Sequence, residues 1–420
     1  MKGHRHLLWT VLTIGACSGE RVPAVGSWLA QRDTVGDTVV VRTVSGSVWG
    51  GPVEMVEDLS IGALDGPEEL VFTWIGSMAV DQGGGIYVFD WQVPALRYFD
   101  SKGRYIRTLG REGSGPGEYG TWTDMFFQLH QLPGQQRELA AFTGALTVRR
   151  DGTIVLADLS HARLNLYGAD GRFAAQWSVP GGIYSRQGIA VDTADHTYVS
   201  IVTEPILPTA ALKVAYLRLD AEGNALDTIP VPALEGEPQA RPLGPTDRSK
   251  EHAVSPLGHM VVGVNDHYSF EVRRPEGPTV RIEKVYEPVS FSTNELAEWR
   301  AVSDWLKRHD HPGQISNVLN SKLAFGSFLT DQRGRIWVRV HVEARKDEAI
   351  EMTSRELGGP PLISWVEPAV YDVFEPDGTY LGQVRFPWRT WPLVVHGDTA
   401  WGVRRGDFDE QYVVRLVMLR

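Results

Sequence analysis

The sequence predicts an all-β fold: a six-bladed β-propeller of four-stranded antiparallel blades, closed by an N-terminal strand, with one short inserted helix. Three observations support this prediction. Short runs of β-type residues bounded by Gly, Asn, Asp and Pro cover most of the 420 residues. Glycines recur in the turns at a constant spacing. Strands do not alternate with helices, so an α/β sheet is not expected.

The repeats are recognised by their turns. Each clear unit has four predicted strands, and the glycine of its first turn precedes the glycine of its last turn by 19 residues. Two longer units carry insertions between Asp195 and Gly223 and between Gly334 and Gly378. Repetition of one supersecondary unit predicts an array of equivalent blades. The equally spaced pairs are Gly84 and Gly103, Gly152 and Gly171, and Gly258 and Gly277.

The sixth unit bears on how the ring closes. From residue 392 onward the chain has residues for three strands, one fewer than a blade needs. The run TVVVRTV at 38–44 is rich in β-branched residues and lies outside every repeat. We therefore predict that residues 38–420 form the propeller and that 38–44 supply the missing strand, which would leave no open edge in the ring.

The N terminus predicts export. Two basic residues precede an apolar run at 7–16 that is too short to span a bilayer and fits a signal peptide over 1–16. The run ends in Ile-Gly-Ala-Cys, which resembles a bacterial lipobox, so we predict a lipidated Cys17 and a tether over 17–37. An ordinary signal peptide with a chance cysteine is the alternative. The expected location is the bacterial cell envelope, on the outer membrane or the periplasmic side, with membrane contact through the anchor.

Composition limits the partners and the chemistry. The chain has 41 Lys and Arg against 52 Asp and Glu, a formal net charge of −11, and no basic run, so we expect no nucleic-acid partner. Cys17 is the only cysteine, so the folded part can hold no disulfide, Cys-ligated zinc or cysteine nucleophile. Neither an H-E-x-x-H nor a G-x-S-x-G motif occurs. We expect a monomer.

The two faces of the predicted ring differ. In an up-and-down blade the first and third turns lie on one face, and the middle loop and the link to the next blade lie on the other. The first and third turns here are short and mostly contain glycine, whereas the long segments fall on the opposite face. We call these the tight-turn face and the long-loop face. Long loops on a rigid scaffold are typical of binding, and neutral surface growth is the alternative.

One insertion predicts a helix over about 292–311. Ser292 and Glu295 form a capping-box pattern, and Phe291 and Leu296 are spaced as a hydrophobic staple. Apolar side chains recur along one stripe, so the helix should lie on the propeller, where it could partly cover the channel mouth. The stripe consists of Leu296, Trp299, Val302 and Leu306.

Candidate ligand-binding residues lie in loops of the long-loop face. The segment LGREGSGPGEY at 109–119 leads from one blade to the next and lacks G-K-[ST], so we interpret it as an interblade strap rather than a phosphate loop. Aromatic rings beside polar groups suit recognition, although they could equally pack the loops onto the blades. The candidates are Arg111, Tyr119, Trp91, Trp122, Tyr184 and Trp365.

Two carboxylates occupy matching repeat positions. Asp90 and Asp158 each end the second strand of a unit. In the simpler interpretation each carboxylate accepts backbone N–H groups of the middle loop. In the other interpretation they belong to a ring of carboxylates at the channel mouth that binds a cation or a sugar.

The unit h-x-V-D-x-x-G-x-I-Y-V-x-D, followed by RYFDSKG and then by LGREGSGPGEY, resembles the bacterial six-bladed β-propeller lipoproteins related to NHL repeats. The resemblance implies the fold and export, and it brings no established activity. Our first hypothesis is a noncatalytic binding or scaffold module, with no cofactor, that engages a glycan, peptide or protein through the long-loop face.

The alternative is an enzyme. Six-bladed propellers resembling gluconolactonases hold a divalent metal in the central channel, and this resemblance implies a metal-dependent hydrolase or lyase. Ser200 and Val340 occupy the corresponding positions of other blades, so the ligand set of that family does not map residue by residue. The candidate ligands lie at or just after second strands and are Asp90, Asp158, Asn265 and Asp266.

Overall fold

Six blades, each with four strands, follow one another around a ring, as predicted. The computed structural model describes residues 27–91, 93–120, 146–180, 182–184, 188–204, 213–238, 248–309, 318–353 and 361–419. The predicted signal peptide, Cys17 and Trp122 lie outside the described residues. Each blade is an antiparallel sheet of four strands; the sheet of blade 4 carries two additional strands, and blades 5 and 6 join into one eight-stranded sheet through a parallel pair of their outermost strands.

The first three blades are continuous four-stranded units. Their second strands are buried on both faces because each blade packs between two neighbours, whereas their outermost strands are largely exposed. β-Branched and aromatic residues suit such doubly buried strands. The strands are Ile75–Val80, Ile86–Asp90, Ala95–Phe99 and Tyr105–Leu109 in blade 1, Leu146–Val148, Ile154–Asp158, Arg163–Tyr167 and Phe173–Ser178 in blade 2, and Ile189–Val191, Thr197–Val202, Val214–Leu219 and Ala225–Pro230 in blade 3.

The last three blades contain the insertions and the ring closure. The middle loop of blade 5 is long, and blade 6 takes its fourth strand from the N-terminal part of the chain. The strands are Lys250–Val254, Met260–Val264, Ser269–Arg273 and Thr279–Lys284 in blade 4, Phe328–Thr330, Ile336–Arg339, Val370–Phe374 and Tyr380–Arg385 in blade 5, and Thr390–His396, Thr399–Arg405, Gln411–Leu419 and Val53–Ile61 in blade 6.

The closing strand is Val53–Ile61, so the prediction that 38–44 closes the ring is wrong. Val53–Ile61 pairs antiparallel with Gln411–Leu419, the third strand of blade 6. In this strand apolar residues alternate with mostly acidic ones, and the acidic side chains face outward. That pattern suits an outermost strand, which has one packed face and one solvated face. Its acidic residues made this segment look less β-like than the Val-rich run before it.

The run predicted to close the ring extends blade 4 instead. Thr38–Ser45 pairs in parallel with Thr279–Lys284, and Leu29–Val35 then pairs antiparallel with Thr38–Ser45. Part of the predicted tether, 17–37, is therefore a strand. Val41 is buried against the cluster of apolar residues between blades 4 and 5, which explains why this Val-rich segment adds to the edge of blade 4.

Aspartates fix the short turns of the tight-turn face. In blade 1 the Oδ1 atom of Asp81 accepts hydrogen bonds from the amides of Gly83 and Gly85, both at 2.8 Å. Gly84 has φ of 79°, a left-handed conformation that glycine adopts without strain. The same Asx turn, with the amides two and four residues on, recurs at Asp100, Asp192, Asp220 and Asp331.

Apolar clusters join each blade to the next. Between blades 4 and 5, the ring of Phe270 lies 5.2 Å from that of Phe328 and 5.6 Å from that of Phe374. Between blades 6 and 1, Leu393 and Trp401 pack in one cluster with Ile75 and other residues of blade 1. The last blade thus packs against the first, which closes the ring.

Two helices lie among the described residues, and the predicted one is confirmed. Helix α1 spans Thr293–Arg308, and the Ser292 hydroxyl accepts a hydrogen bond from the Glu295 amide at 3.2 Å. Phe291 and Leu296 pack in one cluster, as the staple pattern predicted. The short helix α2, Glu348–Thr353, lies in the middle loop of blade 5 and was not predicted. Neither of these helices has the length and apolar character needed to cross a bilayer.

Candidate functional site

Two insertions of the long-loop face pack together over blade 5. Trp299, Val302 and Leu306 of α1 form a cluster with Ile363 of the blade 5 middle loop. Glu298 of α1 accepts hydrogen bonds from the amide and the hydroxyl of Ser364, at 2.6 and 2.7 Å. We call α1 and the middle loop of blade 5 (340–350 and 361–369) the cap. The apolar stripe of α1 therefore faces the propeller, as predicted.

A buried ionic cluster holds the cap to the blade. Lys322 has a side chain that is 1% exposed, and its Nζ lies 3.0 Å from Glu295 Oε1 and 2.9 Å from Glu367 Oε1. Burial raises the pKa of Glu295 above its usual value, and Lys322 offsets this only in part. Burial would also raise the pKa of Glu367, but His341 and Lys322 lower this pKa well below its usual range. His341 Nδ1 lies 3.2 Å from Glu367 Oε1. The cluster fixes α1 on the propeller.

A second set of ion pairs joins the cap to blade 6. The Arg389 side chain donates two hydrogen bonds to the carboxylate of Asp347 in the cap. Its Nη1 also donates to Gly406 O and to Asp407 Oδ1, both at 3.1 Å. Arg389 thereby ties the cap to the middle loop of blade 6, 406–410.

Arg405 lies beside these pairs and was not predicted. It ends the second strand of blade 6, and its Nη1 donates to Asp409 Oδ1 at 2.8 Å. Its guanidinium carbon lies 5.7 Å from the ring centre of Trp74, at the entrance to blade 1. Its Nε and Nη2 atoms are buried and have no hydrogen-bond partner in the part of the chain that the structure describes. In the sequence Arg405 adjoins Arg404, so it resembles an ordinary solvated charge.

The segment interpreted as a strap does join two blades. We use "strap" for residues 110–120, which leave the outermost strand of blade 1. Arg163 of blade 2 donates to Ser114 O at 2.9 Å and to Glu118 O at 2.8 Å. Tyr167 of blade 2 donates through its hydroxyl to Gly117 O at 2.9 Å. Side chains of blade 2 therefore bind the backbone carbonyls of the strap.

Two candidate residues of the strap have different environments. Tyr119 is 1% exposed, so its side chain lies inside the protein, and its role in ligand binding stays a prediction. Its hydroxyl accepts from the Leu96 amide at 3.1 Å and donates to Leu109 O at 3.0 Å, which fixes the strap to blade 1. Arg111 is exposed and pairs with Glu118 at 2.7 Å, within the strap.

The aromatic candidates among the described residues differ in burial. Trp91 is 5% exposed and meets Phe89 edge to face at 6.4 Å, so it is no exposed anchor. Tyr184 is half-buried, and its amide donates to Ser200 O at 2.7 Å. Trp365 is half-buried in the cap, where Trp365–Val366 pairs with Arg345–Lys346. Burial cannot be read from aromatic character, because apolar rings serve both packing and recognition.

A small pocket brings three of the predicted residues together between blades 1 and 2. Trp91, Tyr119 and Asp158 line it with neighbouring residues of both blades. Asp158 is 3% exposed, and its carboxylate contacts two side chains of blade 2. Its Oδ2 lies 2.8 Å from Arg163 Nε and 2.9 Å from His161 Nδ1. The carboxylate therefore holds the arginine that binds the strap.

The remaining candidate metal ligands are also engaged by protein groups. Asp90 is fully buried and accepts from the Thr73 amide and hydroxyl, at 2.8 and 2.7 Å. Asn265 exchanges hydrogen bonds with Ser249, at 2.8 and 2.9 Å. Asp266 pairs with Arg248 and with His267. Asp90 binds Thr73, before the first strand, more closely than the middle-loop amide of Val93 at 3.5 Å, and Asp158 binds the side chains of His161 and Arg163. The interpretation that both carboxylates accept backbone N–H groups of the middle loop therefore holds only in part.

The four predicted ligands do not converge on a metal site. Each of Asp90, Asp158, Asn265 and Asp266 has its own local partners, as described above. The described residues also contain no group of three His, Cys, Asp or Glu side chains arranged to hold a metal ion. The residues present therefore do not fit the single channel metal that the gluconolactonase resemblance implies.

A comparison with protein families supports the six-bladed propeller fold. A family model described as a 6-bladed beta-propeller matches residues 54–130, which include most of the closing strand and all of blade 1. No curated protein matches this chain in sequence.

Similar solved structures share little sequence with this chain. A Bacteroides fragilis protein described as exported has 10% identity and a TM-score of 0.48 over 91% of this chain and 100% of that chain. A DUF4221-family member from Bacteroides vulgatus has 11% identity and a TM-score of 0.49 over 88% and 99%. A gluconolactonase from Xanthomonas campestris has 12% identity and a TM-score of 0.40 over 86% and 98%. The family model, rather than these structures, confirms the resemblance to six-bladed propellers at the level of the fold.

Proposed function

We propose that this protein is an exported, lipid-anchored binding module whose long-loop face engages a glycan, peptide or protein of the cell envelope. One observation carries the proposal: the two faces of the ring are built differently. Short turns fixed by their own hydrogen bonds form one face, and long segments that pack on one another form the other. Binding residues are commonly placed on loops that a rigid scaffold positions.

The tight-turn face offers few free groups. Its turns bind one another as well as themselves, since Arg149 of blade 2 donates to Ala221 O at 3.0 Å and to Asp195 O at 2.9 Å in blade 3. The backbone groups of these turns are therefore largely engaged within the protein. A ligand on this face would have to displace existing hydrogen bonds.

The long-loop face combines rigid support with exposed side chains. The ionic cluster around Lys322 and the Arg389 pairs fix the cap to blades 5 and 6. Phe408, in the middle loop of blade 6, is 68% exposed, and Leu64, in the link from the closing strand to blade 1, is 55% exposed. Exposed apolar groups beside charged ones are typical of recognition surfaces.

The N-terminal sequence supports export and anchoring. A signal peptide over 1–16 and lipidation at Cys17 would place the propeller at the membrane surface of the bacterial envelope. Replacement of the thiol in Cys17→Ser should release the protein from membrane fractions into the soluble fraction. Unchanged fractionation of this variant would reject the anchor.

The binding role is testable by ligand-induced stabilisation. A ligand that binds the folded state raises the unfolding temperature by mass action. We expect some member of a panel of envelope glycans and peptides to raise the unfolding temperature of the full-length protein, and Phe408→Ser to abolish that rise. The matched control is Leu257→Ser, which alters an exposed apolar residue of the tight-turn face and should keep the rise. No response to any panel member would count against the proposal, as would loss of the response in Leu257→Ser with retention in Phe408→Ser.

A further inference from the structure

The middle loop of blade 6 adjoins a buried guanidinium with unused hydrogen-bonding capacity. The side chain of Arg405 is 8% exposed, and Asp409 takes one hydrogen bond from its Nη1 atom. Among the described residues, its Nε and Nη2 atoms have no hydrogen-bond partner. Buried donors of a charged group are normally satisfied, because leaving them unpaired is costly. An unpaired pair of donors therefore suggests a group that the protein alone does not supply.

The free atoms define the shape of that group. Nε and Nη2 form one edge of the planar guanidinium, with parallel N–H bonds. This edge matches the two oxygens of a carboxylate in a bidentate pair. Arg163, which begins the third strand of blade 2, uses its Nε and Nη2 on Asp158 and on Glu118 O. Among the described residues, no protein acceptor lies on the same edge of Arg405.

Neighbouring charges restrict the ligand further. The backbone carbonyl of Arg389 accepts from the Arg405 amide, and the Arg389 side chain is already paired with Asp347 and Asp407. With Asp409 and Glu410 of the same loop, at least four carboxylates lie at the mouth of blade 6 among the described residues. A dianion such as phosphate would be repelled more strongly than a carboxylate, which has one negative charge.

The loop beside Arg405 is held by ion pairs whose carboxylates reach solvent. Asp407 and Asp409 have side chains that are 95% and 46% exposed, and solvent at these carboxylates weakens their pairs with Arg389 and Arg405. Gly406 O also accepts a hydrogen bond from Arg389 Nη1 at 3.1 Å. Asp409 has φ of 67°, an uncommon conformation for a residue other than glycine. Movement of 406–410 to admit a ligand would break the ion pairs of Asp407 and Asp409 and the hydrogen bond from Arg389 to Gly406 O.

We propose that the Nε–Nη2 edge of Arg405 binds the carboxylate of an acidic sugar, with 406–410 as a movable cover and with the rings of Trp74 and Phe408 beside the sugar. This inference rests on the proposed function and names its ligand class. A sugar ring offers an apolar face to an aromatic side chain, while its carboxylate pairs with the guanidinium. A free carboxylate would use the same edge without the rings.

Calorimetric titration of the full-length protein tests this inference. The probes are D-glucuronate, D-glucose as the uncharged match, and acetate as the bare carboxylate. We expect glucuronate to bind, glucose to show no binding and acetate to bind at least tenfold more weakly. Arg405→Met should weaken glucuronate binding at least tenfold. Arg405→Lys, which keeps the charge and removes the planar edge, should weaken it as well. Arg404→Met is the matched control, because Arg404 precedes Arg405 and points to Glu57 on the other side of the strand.

Each outcome decides the inference. Equal binding of acetate and glucuronate would assign the site to free carboxylates and overturn the sugar assignment. Unchanged binding in Arg405→Met and Arg405→Lys, or no binding by the wild-type protein, would overturn the inference itself. Its failure is separate from that of the proposed function, because the panel experiment can still show stabilisation that depends on Phe408 and not on Arg405.

Discussion

Two buried arginines lie beside the middle loops of different blades, Arg163 at the start of a third strand and Arg405 at the end of a second strand, and the protein uses them differently. Arg163 of blade 2 binds Asp158 at 2.8 Å and the strap carbonyls of Ser114, Gly115 and Glu118 at 2.8 to 3.3 Å. Arg405 of blade 6 binds Asp409 and leaves one edge without a partner among the described residues. The first site is complete within the protein, and the second is not.

This difference separates a buried polar group that stabilises the fold from one that can bind a ligand. A fully paired buried arginine fixes the segments that it binds, and its removal leaves each of their buried polar groups without a hydrogen-bond partner. A partly paired one contributes less to folding and keeps donors for a ligand. Mutations at the strap should therefore lower the free energy of unfolding most. Ligand binding should instead alter the mouth of blade 6.

The largest expected effect is at Arg163. Arg163→Met should lower the free energy of unfolding by about 3–5 kcal/mol, because Asp158 loses its buried partner and the strap carbonyls lose their donor. Urea denaturation of the full-length protein measures this change. The control is Arg172→Met, at an exposed arginine of the same blade, which should alter the free energy by less than about 0.5 kcal/mol. A loss under about 1 kcal/mol in Arg163→Met would show that attachment of the strap to blade 2 does not depend on this arginine.

Tyr119 should give the next largest effect. Tyr119→Phe removes the hydroxyl that joins the Leu96 amide to Leu109 O and should destabilise the protein by about 1–3 kcal/mol, since both groups are left buried. Tyr105→Phe, at an exposed hydroxyl of the same blade, is the control and should change stability by less than about 0.5 kcal/mol. Equal stability of the two variants would restore Tyr119 as a candidate for a role other than packing. Burial raises the pKa of Tyr119 to about 12, so its phenol should ionise later than exposed tyrosines in an ultraviolet pH titration.

Arg405 should tolerate the substitution that damages Arg163. We expect Arg405→Met to stay within about 1 kcal/mol of the wild-type free energy of unfolding, because the change removes unpaired buried donors and leaves Asp409 with access to water. Urea denaturation beside Arg163→Met compares the two directly. A loss as large as that of Arg163→Met would abolish the distinction between the sites.

Arg111 should give the smallest effect. Its side chain is exposed and pairs with Glu118, and exposed ion pairs contribute little to stability. We expect no measurable change in the unfolding curve of Arg111→Ala. If Arg111→Ala weakened a ligand found in the glycan and peptide panel, the strap would regain a binding role beside its structural one.

Much of the fold was predictable from local patterns. The Ser292 cap is a signal within a few residues, and the turn glycines recur 19 residues apart within a unit. Together they located α1 and the blades. The closing strand was missed because Val53–Ile61 alternates apolar with acidic residues, while the more apolar 38–45 segment looked like the better strand. Which edge a strand joins depends on contacts between distant parts of the chain, and β-propensity does not report them.

The candidate site was less predictable, because sequence identifies chemical groups and not their partners. Tyr119 and Trp91 have the chemistry of recognition residues and are buried. Asp90 and Asp158 were weighed as metal ligands and instead accept protein donors. Arg405 looked like a surface charge beside Arg404, and its significance depends on which of its nitrogen atoms the folded chain leaves unpaired.

Hydrogen–deuterium exchange of the full-length protein, with and without saturating D-glucuronate, tests the central claim most directly. Amides of a segment that closes over a ligand exchange more slowly. We predict slower exchange at 406–411 and around Trp74, and no change in the strap or in the turn 81–85. Unchanged exchange at 406–411, or slower exchange in the strap or at 81–85, would contradict the account.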